Sequence, residues 1–570
     1  MPRPRHLRRQ QPLPRLGAFA LLALLIVPIL ELGLWEAWHD APTYDEGIYL
    51  STGVDMMVSH QWRLTLEHPP LSRAVAVLPA LFAHPVIPPG HTQLDGDEYA
   101  WTRKFLAAQQ RAGKLRLEVF LARLVPLVCM VLTGLVIYAI AARLTDRWGG
   151  VVAAGLWFTL PTTLGFGHLL SLDVALCLTL AFTAWTILRA FERPGYRAAA
   201  LVGIATGLDL LVRSTSIPVV PVAGVLVLAA SWGSQGVRRA LASAAGVGVV
   251  GLATVWVGIR LIAPGAVRVL PASEYAVPFS QSAPVPPLEA LAARIPFPHS
   301  YSTGLRLLGR LSPPAPGYLL GHRWIGWWWA YWPITLMAKI PLPALVVVLV
   351  GLVGWIGVAR VPRRRALVVL LPLAVVAALP AVVTTRQLGV RLALPVIMLL
   401  AIAAAPAARL ARAPMGRLVL GTLCVLQLVV FATSAGSALA WTTPPLHPAY
   451  RSMADSSFDW GQDWYRLRQW TVDHDAWVAY FGSPGLGDIL PAKNLLSVKP
   501  EDVEGWVAVS ASYLNDYRAV TFSWLRAYCP VGSIGSTVLI YRFQGPPSSA
   551  PGPDTPAGPC WGATASHRGS

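Results

Sequence analysis

The sequence predicts a polytopic α-helical membrane protein with large outer loops and a small C-terminal α/β domain. The chain of 570 residues is 55% hydrophobic and only 13% charged, a composition that a soluble domain would not carry. Its apolar runs are long enough to cross about 30 Å of hydrocarbon. The net charge of +18 is scattered in small groups of arginine between these runs, which excludes a continuous nucleic-acid-binding face.

The basic tail, residues 1–16, is followed by an apolar run without a small-residue cleavage site, which we interpret as a retained signal anchor. Counting apolar windows predicts about eleven spans, which make up a transmembrane domain over residues 17–440. The spans lie near residues 17–34, 119–141, 149–166, 171–188, 198–213, 215–230, 240–263, 341–359, 366–383, 389–408 and 418–440.

Charge sets the predicted orientation of these spans. Six segments hold about nineteen arginines against two acids, and the positive-inside rule places them in the cytoplasm. Residues 35–118 and 264–340 are then long outer loops, and such loops are uncommon unless they are functional. We therefore expect a multi-pass protein of the cell (inner or plasma) membrane, with an extracytoplasmic C-terminal domain.

The first outer loop opens with "TYDEGIYLSTG" and continues to "EHPPLSR". Asp45 and Glu46 follow the first span at the depth of the membrane interface, where partial desolvation tunes a carboxylate as a general base. In a helix the two side chains point about 100° apart, so one acid would do chemistry and the other would hold structure or an acceptor. Glu67 and His68 precede two prolines that fix the direction of the loop. The alternative is an interfacial turn with solvated acids.

These two motifs resemble the first outer loop of the GT-C glycosyltransferases, in the polyprenyl-phosphate-dependent branch of family 39-like enzymes that includes protein O-mannosyltransferases and the lipid A aminoarabinose transferase. Four further segments resemble motifs of this family in the same order: "GHLLSLDVALCL", "GYLLGHRWIGWWWAYWPITLMAKIPLP", "RQLGVRLALPVIM" and "DSSFDWGQDWYRLRQW". The resemblance covers nearly the whole chain. It does not specify the sugar.

The resemblance implies an inverting transfer of a sugar from a polyprenyl-phosphate donor to an acceptor hydroxyl, within cell-envelope or protein glycosylation. Asp45 matches the family's aspartate that acts as the general base, and Glu46 matches the acidic residue beside it. His68 lies in the matching turn, where it would shape the site or bind an ion. The acceptor stays open between protein, lipid and glycan. The alternative function is a lipid or glycan transporter (a flippase) of similar topology, although we find no internal repeat of the kind that transporters show.

His168 and Asp173 lie at the outer end between the third and fourth predicted spans. They share a face only if His168 stays in the loop and the next helix begins near Ser171. Contact with the acceptor or the donor sugar is one interpretation. The other is that Ser171 caps the helix and Asp173 favours its dipole, without chemistry.

A leaving phosphate needs fixed positive charge at the outer side. Four cations satisfy the predicted topology: Arg213, Lys339, Arg386 and Arg391. We expect the clamp in "RQLGVR", where Arg386 and Arg391 are too far apart to share one helix face. The alternative for each of the four cations is that it lies at a helix end and its side chain only reaches into the lipid headgroups.

Aromatic residues precede the eighth span at helical spacing: Trp324, Trp327, Trp328 and Tyr331. This pattern predicts a helix lying in the membrane interface. Its function is either anchoring or the formation of a lateral wall for entry of the polyprenyl tail.

Residues 441–545 carry strand-like runs, "WVAYFGSPG", "GWVAVSAS" and "STVLIYRF", and a helical segment, "WYRLRQWTVDH". They predict a small α/β domain. For Asp459 and Asp463 we expect turn and cap roles. Residues 546–570 are rich in proline, glycine and serine, which is typical of disorder; Cys529 and Cys560 are candidates for pairing. No Cys-His metal group has useful spacing, and the sequence specifies no cofactor with certainty, although a divalent metal ion stays open.

Overall fold

The computed structural model describes residues 14–89, 97–265, 286–310, 314–383, 385–446, 448–517 and 521–545. Residues 1–13 of the basic tail, residues 546–570 and Cys560 lie outside this part. The helices are α1 (Arg15–His39), α2 (Tyr44–Ser59), α3 (Leu71–Leu81), α4 (Glu98–Arg111), α5 (Leu115–Leu144), α6 (Arg147–Thr159), α7 (Pro161–Gly167), α8 (Leu172–Glu192), α9 (Tyr196–Val212), α10 (Val219–Gln235), α11 (Val237–Ile262), α12 (Pro286–Arg294), α13 (His299–Arg310), α14 (Tyr331–Lys339), α15 (Leu342–Gly354), α16 (Arg360–Val383), α17 (Leu394–Ala403), α18 (Pro414–Ser434) and α19 (Trp464–Asp473). The strands are β1 (Pro316–Leu319), β2 (His322–Ile325), β3 (Ala476–Ala479), β4 (Lys493–Asn494), β5 (Gly505–Ser510), β6 (Gly532–Ile534) and β7 (Val538–Phe543).

Seven helical segments of the described chain are long and apolar enough to cross a membrane, and two bent pairs raise this number to nine. The bent pairs are α6 with α7, at 63°, and α14 with the helical segment Leu342–Gly357, at 112°. The other two predicted spans coincide with α9 and α16. All eleven predicted segments therefore fall on helices, and the predicted fold class is confirmed.

The two bends occur where proline interrupts the apolar run. Pro161 begins α7 directly after an extended Leu160, and Pro341 caps α15 after an extended Ile340. Proline removes a backbone donor and disfavours helix in the residue before it, so each apolar run breaks there.

Close packing of α9 on α11 fixes the end of α9, from which Arg213 projects. A Cβ atom at Gly203 would lie 2.7 Å from Cβ of Val250, and one at Gly207 would lie 2.5 Å from Cβ of Thr254. Small residues let helix backbones approach in this way in membranes. The glycines therefore help to define the position of Arg213.

The C-terminal α/β domain is also confirmed, as a five-stranded sheet in the order β4-β3-β5-β7-β6 with α19 before it. β3 pairs in parallel with β4 and β5, whereas β7 pairs antiparallel with β5 and β6. The domain contacts the connection between α1 and α2. There the N–H groups of Ala41 and Tyr44 donate to the carbonyls of Gln462 and Trp460, at 2.8 and 2.9 Å.

The predicted interfacial helix over Trp324 to Tyr331 is wrong in its first part. β1 and β2 form an antiparallel hairpin in which Leu319 pairs with His322. Leu320 and Gly321 make the turn with φ of 52° and 81°, the conformation that two-residue hairpins require. Helix begins only at Tyr331. Trp324, Trp328 and Tyr331 still contact one another, with ring centroids 4.9 and 5.6 Å from Trp324.

Candidate active site

Asp45 lies in the first turn of α2 and faces a guanidinium from a distant part of the chain. Its Oδ2 forms an ion pair with Nη1 of Arg391 and accepts a hydrogen bond of 3.4 Å from the hydroxyl of Tyr49. The guanidinium of Arg391 also lies over the ring of Trp460, 4.4 Å from the centroid. The side chains of Asp45 and Arg391 are 18% and 12% exposed. The pair is therefore ordered by its neighbours and still accessible.

The charges of a second ion pair also reach the hydroxyl of Tyr49. Asp173, in the first turn of α8, binds Nη1 of Arg213, which directly follows α9. Burial and the negative charge of Asp45 raise the pKa of the Tyr49 hydroxyl well above its usual value, and the charges of both ion pairs reach this hydroxyl. Tyr49 therefore stays a hydrogen-bond donor at neutral pH, between two carboxylate–guanidinium pairs.

Helix α8 begins at Leu172, as expected, with Ser171 at the N-cap position. Oγ of Ser171 has no hydrogen-bond partner among the described residues, so it does not cap the helix. The carboxylate of Asp173 forms an ion pair with Arg213 rather than a hydrogen bond at the start of the helix. The predicted substrate contact of Asp173 stays a prediction.

Glu46 is buried and fully engaged with structural partners. Its carboxylate binds the guanidinium of Arg123 at 2.6 and 2.8 Å and accepts hydrogen bonds from the N–H groups of Thr43, at 2.9 Å, and Leu170, at 2.6 Å. Burial alone would raise the pKa of Glu46, but the charge of Arg123 outweighs it and the pKa is lowered. A carboxylate held in this way has no free face for a substrate proton.

The "EHPPL" turn brings His68 against Tyr49, with ring centroids 5.7 Å apart. Burial lowers the pKa of His68 well below its usual value, and the guanidiniums of Arg213 and Arg73 add to this effect, so the ring is neutral at pH 7. Oε1 of Glu67 lies 3.9 Å from Nε2 of His68, and burial raises the pKa of Glu67. His68 thus lies at the site, and Glu67 lies beside it.

Arg391 is positioned by the "DSSFDW" segment. Oγ of Ser456 donates to the carbonyl of Leu388 at 2.6 Å, and the N–H of Val390 donates to Oγ of Ser457 at 2.9 Å. Gly389, between them, has φ of 84°, and a Cβ atom there would lie 2.2 Å from Oγ of Ser456. Only glycine fits this close approach with a left-handed backbone.

The hairpin region supports the same loop from its other side. Oε1 of Gln387 accepts hydrogen bonds from Nε1 of Trp324 and the N–H of Trp328, both at 3.0 Å. The hydroxyl of Tyr331 accepts one from the N–H of Gly389, at 2.8 Å. The predicted aromatic motif therefore helps to hold "RQLGVR" in place, a function that its helical spacing did not indicate.

The other two predicted phosphate ligands have different surroundings. Nζ of Lys339 is buried and donates to the carbonyls of Leu439 and Trp441, at 2.9 and 2.6 Å. Its charge therefore stabilises the chain after α18, and the predicted phosphate contact does not fit this position. Arg386 is half-buried in the same loop as Arg391. Of these two arginines, Arg391 is the one that binds Asp45.

The buried side chain of His168 contacts Glu36 and Asp40, and its predicted substrate contact stays a prediction. The three side chains form a buried group, whose possible ligand atoms are all within 4.8 Å of one another. Among the described residues, this is the group that could hold a metal ion. Nothing in the sequence spacing of these residues predicts the group, because His168 is remote from the others in the chain.

An apolar crevice opens beside Arg213. It lies between α8, α10, α16 and the start of α17, and its lining includes Leu176, Leu180, Val219, Val376 and Pro395. Arg213 is the charged residue of this lining. The arrangement places the positive charge of Arg213 at the edge of a small apolar crevice.

Tyr49, Arg123 and Trp460 are site residues that sequence reasoning missed. Tyr49 follows Asp45 by four residues, and this helical spacing is a signal that could have found it. Arg123 lies inside a predicted span, where a charged residue marks a functional site by default. Trp460 belongs to the quoted "FDW" motif, but its contact with Arg391 requires the fold.

Asp459 and Asp463 both have structural contacts, but the expected cap role of Asp463 is wrong, because its side chain makes no capping hydrogen bond at the start of α19 within the described chain. Oδ2 of Asp459 accepts a hydrogen bond from the N–H of Ser512 at 2.9 Å. Oδ2 of Asp463 accepts from the N–H groups of Ser536 and Thr537, at 2.9 and 3.0 Å. Both aspartates therefore join the "FDWGQDW" segment to the sheet. Cys529 is disulfide-bonded.

Comparison with known proteins supports the resemblance on which these predictions rest. Residues 116–258 match the family model described as dolichyl-phosphate-mannose-protein mannosyltransferase. This segment contains His168, Asp173 and Arg213, whereas Asp45 and Arg391 lie outside it. No curated protein sequence matches the chain.

Several solved structures are also similar to this chain. The oligosaccharyltransferase of Archaeoglobus fulgidus in the apo form is 11% identical, with a TM-score of 0.43, over 90% of this chain and 73% of that chain. ArnT from Cupriavidus metallidurans bound to undecaprenyl phosphate is 14% identical, with a TM-score of 0.32, over 91% of this chain and 97% of that chain. The predicted resemblance to the GT-C superfamily is confirmed through the family model. The described helices define a multi-pass membrane protein, of which residues 116–258 resemble a family of mannosyltransferases.

Proposed function

We propose that this protein is an inverting glycosyltransferase that moves a sugar from a polyprenyl-phosphate donor to an acceptor hydroxyl at the outer face of the cytoplasmic membrane. The observation that carries the proposal is the pair of carboxylate–guanidinium contacts around Tyr49, one of which lies at the edge of an apolar crevice. Asp45 would act as the general base, Arg391 and Arg213 would bind the phosphate, and the apolar crevice would accept the lipid tail.

Asp45 is the general base of the proposed reaction. The acceptor oxygen attacks the anomeric carbon, its proton passes to the Asp45 carboxylate, and the bond from that carbon to the phosphate oxygen breaks. Polyprenyl phosphate leaves with the electron pair. The hydroxyl of Tyr49, which donates to Asp45, orients the carboxylate for this step.

Arg391 and Arg213 stabilise the leaving phosphate. Each is neutralised by a carboxylate in the donor-free protein, so positive charge is held in place before the donor arrives. A phosphate competes with Asp45 for Arg391, and donor binding then frees the base for the acceptor. This exchange makes the ion pair a resting state rather than an obstacle to catalysis, since preorganised charge needs little rearrangement during reaction.

The crevice beside Arg213 is the proposed channel for the first units of the polyprenyl tail. Its apolar lining suits isoprene groups, and the neutral His68 adds no competing charge beside the phosphate. Glu46 is a positioning residue in this scheme, because its partners hold α2 in place and leave it no free oxygen. Extracytoplasmic placement of the site and of the α/β domain follows from the arginine asymmetry.

The test is transfer by purified protein supplied with a panel of polyprenyl-phosphate sugars. Protein, lipid and glycan fractions are analysed by mass spectrometry, and product stereochemistry by NMR. The proposal predicts release of polyprenyl phosphate and an inverted linkage in one acceptor fraction, with both lost in Asp45→Asn. Movement of donor lipid across the membrane without transfer would support the transporter alternative instead.

A further inference from the structure

A second cluster of polar side chains lies in the core, built from none of the residues proposed for catalysis. Glu36 comes from the last turns of α1, Asp40 follows that helix, and His168 follows α7. The side chains of Glu36 and His168 are 1% and 0% exposed, and that of Asp40 is 5% exposed. Burying two carboxylates is costly unless positive charge compensates them.

Each of the three side chains has one polar atom held from outside the cluster. Nδ1 of His168 lies 2.9 Å from the carbonyl of Leu164, and it also lies 3.2 Å from Oε2 of Glu36 within the cluster. Oε1 of Glu36 accepts from the N–H of Gly436 at 2.8 Å, and Oδ1 of Asp40 binds Arg466 at 3.2 Å. Protein metal ligands are typically oriented by outer contacts of this kind.

The other polar atom of each side chain faces the cluster. Nε2 of His168 lies 3.3 Å from Oδ2 of Asp40. Neither this Nε2 nor Oε2 of Glu36 has a hydrogen-bond partner within the described part of the chain. Ligands about 2.1 Å from a tetrahedral ion lie about 3.4 Å from one another, which matches the His168–Asp40 separation.

The charge of the hydrogen-bond and ion-pair network around the cluster also favours a bound cation. Among the described residues, it joins four carboxylates, Glu36, Asp40, Glu46 and Asp463, to two guanidiniums, Arg123 and Arg466. If His168 is neutral and all four carboxylates are ionised, the network carries two more negative charges than positive ones. A divalent ion supplies two positive charges, whereas an imidazolium supplies only one.

We propose that Glu36, Asp40 and His168 bind a divalent transition-metal ion of the zinc or manganese class. One imidazole and two carboxylates are donors that such ions accept. The ion joins the end of α1 to the α7–α8 connection. Through Arg466, which binds both Asp40 and Asp463, it also stabilises the docking of the α/β domain.

The experiment uses the full-length protein in detergent, purified without a polyhistidine tag. Elemental analysis by mass spectrometry should find about one zinc or manganese ion per chain. Stripping with a chelator should lower the unfolding temperature, and adding the ion back should restore it. Cobalt substitution should give visible ligand-field bands.

His168→Gln and Glu36→Gln should lose the ion and the cobalt bands. If these variants fail to fold, Arg466→Gln, which removes only an outer contact, should weaken metal affinity about 10- to 100-fold. Glu31→Gln, on the exposed face of α1, is the matched control and should bind normally. Metal-free wild type that zinc and manganese do not stabilise would overturn the proposal, as would normal metal content in His168→Gln. An imidazolium between two carboxylates would then explain the cluster.

Discussion

Two adjacent acids at the start of α2 differ in role because their partners differ. Asp45 binds an arginine, Arg391, and both side chains are partly exposed. Glu46, one residue later, binds a fully buried Arg123 and two backbone N–H groups. A carboxylate that is easily released from its partner suits proton transfer, whereas one that is fully engaged suits positioning.

Arg391 is expected to dominate phosphate binding. Arg391→Ala should weaken donor affinity by about 1.5 to 3 kcal/mol, roughly ten- to a hundredfold, since a charge-assisted hydrogen bond to phosphate is lost. The measurement is a binding titration with a polyprenyl-phosphate sugar in detergent. Arg386→Ala, in the same loop, is the matched control. Equal losses in both variants would contradict the assignment.

Glu98, beside the "EHPPL" turn, provides a pH test. Burial, with the charge of Glu67, raises the pKa of Glu98 to about 8. The unfolded chain releases this proton at lower pH than the folded one does, so Glu98 reduces stability as pH rises from about 4.5 to 8. Glu98→Gln should therefore unfold at a higher temperature than wild type at pH 8 and at the same temperature at pH 4.5. A lower unfolding temperature at pH 8 would refute the shift.

At the scale of elements, the "RQLGVR" loop is held between the "DSSFDW" segment and the aromatic hairpin. Both supports are motifs that the sequence analysis singled out, but their contacts with the loop are non-local. The spans and the α/β domain were predictable because their periodicities are local. The hairpin was not, since the spacing of its aromatic residues fits a helix equally well, and the left-handed turn at Leu320 and Gly321 decides the matter.

The site residues also divide into those that the sequence could predict and those that depend on non-local packing. Asp45, Asp173, Arg213 and Arg391 were recoverable as candidates from residue type and predicted sidedness. Which cation faces which carboxylate depends on packing between remote helices, and the contacts of Lys339 with backbone carbonyls could not be predicted for this reason. The cluster at Glu36 and His168 has no sequence signal, because its members become neighbours only when α1 packs beside α7.

Gly389→Ala tests the loop as an element. The new Cβ atom meets Oγ of Ser456 in a left-handed backbone, so the loop must shift and carry Arg391 with it. We expect donor affinity to fall about tenfold or more, the effect of losing a charged contact. Gly236→Ala is the matched control, because Gly236 has φ of 77° with open space around its Cβ position. Donor affinity should be unchanged there, and equal losses would show a general folding effect.

At the scale of the whole molecule, the α/β domain docks on the α1–α2 connection, which leads directly into the helix turn that carries Asp45. Cysteine labelling with a membrane-impermeant reagent tests the predicted sidedness of this assembly. In intact cells, a cysteine at Glu501 should react and one at Arg364 should not, because arginine-rich segments stay in the cytoplasm. Both positions are exposed, and permeabilised cells serve as the control. The reverse labelling pattern would place the site on the inner side.

The most direct test of the account is Asp45→Asn, measured for turnover, donor affinity and unfolding temperature together. The change keeps the size of the side chain and removes its basicity, so turnover should fall at least about a hundredfold. Donor affinity should be retained or increase, because Arg391 loses a competing carboxylate, and the unfolding temperature should stay near that of wild type. Glu46→Gln, by contrast, should lower the unfolding temperature, since Arg123 loses its buried partner. Normal turnover in Asp45→Asn would contradict the account, and Asp173 would become the candidate base.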